Sequence, residues 1–310
     1  MNTAGGEKTD MHRIITPQPA DSGAVRGLIN TLRGRYGFLE AMPLGQSALG
    51  RDIMGVILGY GRERILYTAA FHGQEWLTSL VLLRLCEDLC MALERGGSIA
   101  DIHIPEALAG RSLIFVPQVN PDGVDIAIHG SGSAGKYAAM VRELGGNEPG
   151  KWQANARGVD INHNFDAGWE TLKQMELDNG IHSPSPRQYC GEAPESEPET
   201  AALVGLCKRA NFRHVLALHS QGEEIYWRYG GRTPSSARVM AEVMAAAAKY
   251  TVCDPEGLAS HGGFKDWFIQ ETGNPGFTIE LGKGVNPLPL EDFEKIYAKA
   301  QEMLLLAALM

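Results

Sequence analysis

Residues 64–95, RILYTAAFHGQEWLTSLVLLRLCEDLCMALER, decide the fold, because a short apolar run is followed at once by a long helical pattern. The run at 64–71 is a short β-type segment. From residue 75 onward apolar side chains recur at helical spacing, at Leu77, Leu80, Val81, Leu85 and Leu89. The stretch therefore predicts a strand that ends near His72 and a helix that begins near Glu75.

The rest of the chain alternates in the same way. Strand-like runs are SLIFVPQV, which precedes a Pro-Asp-Gly turn, HVLALH at 214–219 and GFTIELG at 276–282. Helical patterns occupy 235–250 and about 290–310, and Ser196 and Glu199 form a capping-box pattern around Pro198 at the start of another helix. Between about 130 and 170 a glycine-rich loop region shows little periodicity. This alternation predicts an α/β domain with a largely parallel sheet.

Length and composition limit the class of protein. The chain has 310 residues, 44% of them hydrophobic, which allows one or two domains, and the absence of a long linker or repeat favours one. No apolar run approaches the roughly 20 residues needed to cross a bilayer. The N-terminus has no uninterrupted hydrophobic segment of the signal-peptide type. We therefore expect a soluble protein of the cytoplasm without a membrane span.

Charge and cysteine content exclude further classes. The net charge of −9 argues against general attraction to nucleic acid or to an anionic membrane. The five cysteines are odd in number and lack a C-x-x-C pair, so neither a disulfide framework nor a thiolate zinc site is expected. The oligomeric state stays open.

Four polar residues stand where a metal site could form. His72, His219 and Glu280 each lie at or near the end of a predicted strand, and Glu75 follows His72 by three residues. Ligands of open α/β sheets bind at the carboxyl ends of the strands, so these side chains can converge at one edge. Two histidines and one glutamate form an established ligand set for catalytic zinc. An isolated H-x-x-E is weak, however, because a strand-end histidine more often bonds to backbone.

The wider context resolves this ambiguity. The segments ARGVDINHNFDAGW (156–169), ALHSQGEEIYW (217–227) and GGFKDWFIQETGNPGFTIELGKGVNPLP (262–289) occur in this order, and LGQSALGRDI precedes them near residue 44. Together they resemble the zinc carboxypeptidase family, from about Leu44 to Leu305. The resemblance implies one catalytic domain at 41–310, with a mixed sheet of about eight strands between helices, and an extension at 1–40 packed on it.

The resemblance also implies the roles of the four residues. His72, Glu75 and His219 would hold one zinc ion per chain, and Glu280 would take a proton from water and pass it to the leaving amine. HSQGEEIYW and KDWFIQETGNPGFTIELGKGVNPLP look most like the γ-D-glutamyl-meso-diaminopimelate peptidases, which implies a peptidoglycan-derived peptide as substrate. Three alternatives stay open: an ordinary metallocarboxypeptidase, a zinc-containing binder of wall fragments that does not cut them, and a deacylase of the aspartoacylase type.

Two positions depart from the family pattern for carboxylate and oxyanion binding. Asn162 and His163 occupy a carboxylate-clamp dipeptide that usually reads Asn-Arg. Imidazole lacks the fixed fork and permanent charge of a guanidinium, so a strict demand for a C-terminal carboxylate is weakened. Alternatively, His163 is a surface loop residue. Gln153 stands where the family has its oxyanion arginine, and Arg157 is either the substitute or a loop brace.

Lys265 is the most informative departure. In the digestive members of the family, the corresponding residue lies at the base of the pocket for the leaving residue's side chain. A lysine there predicts an anionic group on the substrate, and meso-diaminopimelate has a distal carboxylate beside an amine. The alternative is that Lys265 pairs with Asp266 or Glu271 on a solvated helix face. The family's substrate-contacting tyrosine is replaced by Leu258, and Tyr226 or His261 could line the cleft instead.

Overall fold

The computed structural model describes residues 13–148, 150–254 and 256–310. The strands in these ranges are β1 (Leu39–Gln46), β2 (Asp52–Leu58), β3 (Glu63–Ala69), β4 (Ser98–Ile99), β5 (Ile102–His103), β6 (Arg111–Val116), β7 (Phe212–His219), β8 (Glu224–Tyr226), β9 (Thr251–Cys253) and β10 (Gly276–Glu280). The helices are α1 (Ser22–Arg35), α2 (Leu77–Arg95), α3 (Ile104–Ala107), α4 (Pro121–His129), α5 (Ala138–Glu143), α6 (Trp169–Asp178), α7 (Pro198–Arg209), α8 (Ser235–Ala248), α9 (Phe264–Thr272) and α10 (Phe293–Leu309).

Within the described residues, the main sheet has eight strands in the order β1-β2-β6-β3-β7-β10-β8-β9. Its centre is parallel, because β3 pairs with both β6 and β7, and β7 pairs with β10. The pairs β1–β2, β2–β6 and β10–β8 are antiparallel. The expected single α/β domain with a mixed sheet of eight strands is confirmed. The carboxyl ends of β3, β7 and β10 are neighbours, which fixes the place where polar side chains can meet.

Two apolar cores cover the two faces of this sheet. Successive side chains of a strand point to opposite faces, and the neighbours Leu66 and Tyr67 of β3 accordingly belong to different cores. The core around Tyr67 is closed by helices α1, α2, α8 and α10. The core around Leu66 is closed by α7 and α9. Burial on both faces explains why the central strands are continuous apolar runs rather than alternating ones.

Some local predictions were wrong. The predicted Pro-Asp-Gly turn is the start of α4, where Pro121 occupies the first turn and the Asn120 side chain accepts a bond from Gly123 N at 2.8 Å. Part of the predicted loop at 130–170 is helical, at α5. The capping box does not form, because α7 begins at Pro198 after Glu197 and the Glu199 carboxylate accepts from Ala48 N at 3.0 Å instead.

The described part of the N-terminal segment packs on the domain through α1. Val25, Ile29 and Leu32 of this helix are buried in the core that contains Tyr67. The Asp125 carboxylate on α4 accepts bonds from the Ser22 backbone N–H and hydroxyl, each at 2.8 Å. Residues 1–12 lie outside the described residues, and position 40 falls within β1, so the division at that position stays a prediction. In the described part of the chain, no helix has the length and apolar character required to span a membrane.

Candidate metal centre

The segment between β3 and α2 places the first two candidate ligands. The chain leaves β3, reaches His72 in an extended conformation and makes a short 3-10 turn from Gly73 to Glu75. Gly73 N donates to the carbonyl of Gln153 at 3.0 Å. A Cβ at Gly73 would lie 2.2 Å from the carbonyl oxygen of Gly123, so only glycine fits here. This close approach fixes the direction in which the side chains of His72 and Glu75 leave the loop.

The structure brings all four expected residues to one edge of the sheet. His219 ends β7 and is the register partner of Glu280 in β10. His72 Nδ1 lies 2.8 Å from Glu75 Oε1, and His219 Nδ1 lies 3.0 Å from Glu75 Oε2. The two Nδ1 atoms are 3.3 Å apart. His72, Glu75 and His219 form a group whose donor atoms all lie within 4.8 Å of one another.

The chemistry of this group fits a zinc ion. Two imidazole nitrogens and a carboxylate meet at one point, and all three side chains are buried. Burial raises the pKa of Glu75, but His72 and His219 outweigh burial and lower this pKa to about 2. Burial lowers the pKa of His219, which favours the neutral imidazole that binds metals. The set matches the two-histidine, one-glutamate ligands of catalytic zinc.

Asp160 completes the centre, and our sequence analysis missed it. Its Oδ1 lies 3.2 Å from His72 Nε2, and it also accepts from Asn162 N at 3.1 Å. Metal-binding histidines usually give their second nitrogen to such a carboxylate, which fixes the ring. Burial lowers the pKa of His72, but the carboxylates of Glu75 and Asp160 outweigh burial and raise this pKa well above its ordinary value. The signal was present in the motif DIN, two residues before Asn162.

Glu280 borders the same centre. Burial, assisted by the carboxylates of Glu75 and Glu224, raises the pKa of Glu280 well above its ordinary value. The residue lines two cavities that open on either side of the centre, and both cavities also include His72, Gln153 and Tyr226. Glu280 therefore lies where the two cavities meet.

We call the smaller of these spaces the inner cavity; it measures about 200 Å³ and extends to Asn162, His163, Lys265 and Asp266. The larger space, the outer groove, measures about 820 Å³ and extends past Lys151, Arg187, Ser220, Gln221 and Asn286. Leu258, Tyr226 and His261 line the inner cavity. Both of the residues that we considered as replacements for the missing tyrosine are thus present there.

Lys265 and Asp266 lie at the inner cavity as a buried ion pair. Their side chains are 3% and 2% exposed, so the alternative of a solvated helix face is wrong. Lys265 Nζ donates to an Asp266 oxygen and, at 2.9 Å, to the carbonyl of Arg228. Burial raises the pKa of Asp266, although Lys265 opposes that shift. The cavity thus presents two opposite charges rather than one free cation.

The clamp dipeptide also faces the inner cavity. Asn162 Oδ1 accepts from Phe264 N at 3.0 Å, which leaves its amide nitrogen as the available donor. His163 Nδ1 lies 2.9 Å from Glu176 Oε1, and the imidazole is buried, so the surface-loop alternative is wrong. Burial lowers the pKa of His163, but Asp160 and Glu176 outweigh it, and the pKa is raised above its ordinary value.

Arg157 lies outside the lining of the two cavities beside the metal centre. Its guanidinium Nη1 lies 3.6 Å from Glu197 Oε2, and Arg157 is absent from the lining of both cavities. The prediction that it binds the oxyanion therefore loses its geometric support, whereas the alternative of a loop brace agrees with this ion pair. Gln153 does line both cavities, and its buried Oε1 has no hydrogen-bond partner among the described residues.

Comparisons with known proteins agree with this geometry. The family described as zinc carboxypeptidase matches residues 26–304, a longer span than the motifs alone predict. The γ-D-glutamyl-L-diamino acid endopeptidase 1 of Lysinibacillus sphaericus is 37% identical over 274 residues, which are 88% of this chain and 68% of that protein. The YqgT protein of Bacillus subtilis strain 168 is 34% identical over 281 residues, which are 89% of this chain and 74% of that protein.

A solved structure shows the same fold at low sequence identity. Carboxypeptidase A from Helicoverpa armigera superposes with a TM-score of 0.72 at 20% identity, over 94% of this chain and 73% of that one. The match to the family covers most of the chain, and the donor set in the structure is the one that zinc peptidases use. The protein is therefore a metallopeptidase, and the chain belongs to the zinc carboxypeptidase family.

Proposed function

We propose that this peptidase hydrolyses the amide bond between γ-D-glutamate and meso-diaminopimelate in peptidoglycan-derived peptides. The observation that carries the proposal is the buried Lys265–Asp266 pair in the inner cavity. The distal end of meso-diaminopimelate has one carboxylate and one ammonium group, which complement the pair charge for charge. The name of the relative from Lysinibacillus sphaericus specifies a γ-D-glutamyl-L-diamino acid endopeptidase, which supports the same substrate class.

The inner cavity would take the leaving residue. Asn162 and His163 would hold its α-carboxyl group, and Lys265 with Asp266 would hold the distal end. An imidazole binds a carboxylate through one donor, whereas a guanidinium binds it through a fork of two donors. The Asn162–His163 dipeptide should therefore tolerate a stem peptide whose α-carboxyl group is extended by another residue better than an Asn-Arg clamp would. This arrangement favours wall peptides of more than one length.

The chemistry would be performed between the two cavities. Bound at His72, Glu75 and His219, zinc supplies Lewis acidity for the scissile carbonyl and for a water molecule. Glu280 takes the proton from the attacking water and delivers it to the leaving amine nitrogen. Glu280 lines both cavities together with the ligand His72, which places its carboxylate for this role.

Gln153 is our candidate for the donor to the developing oxyanion, in place of Arg157. The backbone of Gln153 is held beside the loop that carries His72 and Glu75, since the carbonyl of Gln153 accepts a hydrogen bond from Gly73 N at 3.0 Å. The amide nitrogen is a neutral donor, and a fixed neutral donor in a site closed to water stabilises an oxyanion effectively.

The test compares three substrates with the zinc-loaded protein. L-Ala-γ-D-Glu-meso-diaminopimelate is the expected substrate, and the same peptide with L-lysine in the last position lacks only the distal carboxylate. We expect kcat/KM to favour the first peptide by about 10-fold to 100-fold, as for the loss of one charged hydrogen bond. A hippuryl amino acid, which has neither the γ-bond nor a diamino acid, should be cleaved slowest.

Two results would contradict the proposal. Turnover of the hippuryl substrate alone would identify an ordinary carboxypeptidase. Tight binding of the diaminopimelate peptide without any turnover, measured by calorimetry on the zinc-loaded protein, would identify a binder of wall fragments. Equal turnover of the lysine and diaminopimelate peptides would agree with a peptidase that cleaves the γ-glutamyl bond. It would contradict recognition of the distal carboxylate by Lys265.

We also propose a cytoplasmic location, where the enzyme would act on imported or recycled wall peptides. All five cysteines, Cys86, Cys90, Cys190, Cys207 and Cys253, are free thiols, which agrees with a reducing compartment. Fractionation of cells that express the protein should place its activity with cytoplasmic markers, and recovery from the culture medium or wall fraction would contradict this.

A further inference from the structure

Along the outer groove, Arg187 is a cation for which the described residues provide no partner. Charged residues along it, apart from Glu75 and Glu280 at the centre, are Glu148, Lys151 and Arg187. Lys151 forms an ion pair with Glu148. The Arg187 side chain is exposed, and within residues 13–148, 150–254 and 256–310 its guanidinium makes no ion pair or hydrogen bond. Among the described residues, Arg187 is therefore the charged group of this groove that has no ion pair, and it is available to a substrate.

The backbone around Arg187 is tied to the metal centre on both sides. The carbonyl of Pro186 accepts from Gln153 N and Ala154 N, each at 3.0 Å. Gln188 N donates to Asp160 Oδ2 at 3.2 Å, and the other oxygen of that carboxylate contacts His72. The backbone of Arg187 is thus held next to the loop that carries His72 and Glu75. Only its side chain is free to move.

The proposed reaction assigns each cavity to one half of the substrate. If the inner cavity takes the leaving diamino acid, the acyl half must lie in the outer groove. A glutamyl residue that is linked through its γ-carboxyl keeps a free α-carboxylate, so the acyl half has a negative charge close to the scissile bond. A guanidinium binds a carboxylate through two parallel hydrogen bonds, which gives both affinity and orientation.

We infer that Arg187 binds the free α-carboxylate of the γ-glutamyl residue and so selects acyl groups that carry a charge at this place. The inference rests on the proposed function and deepens it, because it assigns the acyl side of the bond. It predicts discrimination against peptides in which that carboxylate is amidated, the D-isoglutamine form of the same stem peptide.

The experiment measures kcat/KM for two tripeptides that differ only at this group, L-Ala-γ-D-Glu-meso-diaminopimelate and its α-carboxamide. We expect the wild type to prefer the carboxylate by about 10-fold to 100-fold, the range for a hydrogen bond to a charged group. Arg187→Gln should lose that factor on the carboxylate peptide and leave the carboxamide unchanged. Arg187→Lys should retain part of the preference. Arg238→Gln, which removes an exposed arginine of α8, is the matched control and should behave as wild type.

A second readout separates this inference from the proposed function. In a Glu280→Gln background, calorimetry gives the affinity for both peptides without turnover. Binding of the carboxylate form that weakens with Arg187→Gln supports the inference. An equal loss of kcat/KM on both peptides would overturn it, since that is the behaviour of an oxyanion donor. A wild type that cleaves both peptides equally overturns the inference alone, and a wild type that neither cleaves nor binds either peptide overturns both proposals.

Discussion

The metal centre and the inner cavity are neighbours, yet they bury charge in opposite ways. In the metal centre, His72, Glu75 and His219 direct their donor atoms at one another within 4.8 Å. In the inner cavity, Lys265 is paired with Asp266, and His163 is paired with Glu176. Donor atoms that converge on one point form a site for a cation, whereas paired charges offset part of each other's desolvation cost.

This difference separates what each region requires. The donors of the metal centre already converge, so the centre offers a preformed site for a cation. The inner cavity presents charges in pairs, so it suits an arrangement of opposite charges rather than a single charge. A substrate with both a carboxylate and an ammonium group satisfies that arrangement better than a simple anion does.

Removal of the base between the two regions should have the largest effect. We expect Glu280→Gln to reduce kcat about 10²–10⁴-fold, the usual contribution of a general base. KM and zinc content should stay near those of the wild type, because Glu280 is not among the three clustered ligands. Steady-state kinetics with metal analysis would check this. A variant with less than one zinc per chain would instead place Glu280 among the ligands.

The two candidates for the oxyanion donor can be separated by a pair of variants. Gln153→Ala should lower kcat about 10²–10³-fold, as for the loss of one oxyanion donor. Arg157→Gln should have little effect on kcat, because Arg157 lies against Glu197 outside both cavities. The reverse result would restore Arg157 to the catalytic role that the sequence motif predicts.

The paired charges of the inner cavity can be broken from one side. Lys265→Met leaves a buried Asp266 without its cation, and we expect kcat/KM for the diaminopimelate peptide to fall about 100-fold. The peptide that ends in L-lysine should lose less, since it has no distal carboxylate. A thermal unfolding curve controls for the fold, and the double variant Lys265→Met with Asp266→Asn removes the uncompensated charge. Equal losses on both peptides would mean that the pair is structural.

The dependence of the metal centre on its supporting carboxylate is a further test. Asp160→Asn should weaken zinc affinity about 10-fold to 100-fold, because the hydrogen bond that orients His72 would then be made to a neutral amide instead of a carboxylate. Competition with a chelator of known affinity measures this directly. Asp166→Asn, an exposed aspartate in the same motif, is the matched control. Unchanged affinity in Asp160→Asn would limit that carboxylate to holding the loop.

Glu199 is a buried carboxylate in neither region, and it forms no ion pair within the described part of the chain. Burial raises the pKa of Glu199 to about 7. The folded protein therefore binds the Glu199 proton more tightly than the unfolded chain does. The stabilisation of the folded state by this proton is fully present below the ordinary pKa of 4.5 and is lost as the pH rises through 7. Between pH 5 and pH 8, the free energy of unfolding should fall about 1–3 kcal/mol more in the wild type than in Glu199→Gln. Urea titrations at the two pH values would check this, and parallel curves would contradict it.

The sequence predicts the metal centre well because backbone topology determines it. His219 and Glu280 end adjacent parallel strands, and His72 follows a third strand in the same sheet. A strand-end position and a motif are enough to place such residues, since neither depends on side-chain packing.

Partners that come from distant or irregular segments could not be predicted in this way. Asp160 reaches His72 across 88 positions of sequence, from a loop with no periodic pattern. The sequence also left two environments open for Lys265, because a Lys-Asp neighbour pair is compatible with a solvated surface and with a closed cavity. Only the packing of α9 against the rest of the domain decides that both are buried. The role of Arg157 also stayed open, because motif spacing gives the position of a residue but not the direction of its side chain.

The carboxylate of Asp160 limits how this enzyme can be redesigned. One of its oxygens holds His72 and the loop at Asn162, and the other holds Gln188, next to Arg187. An exchange at that position would disturb turnover and selectivity together, so a library of altered enzymes should keep it constant. Lys265 and Arg187 lie on opposite sides of the scissile bond in our assignment, and they can be varied independently to change which wall fragments are cut.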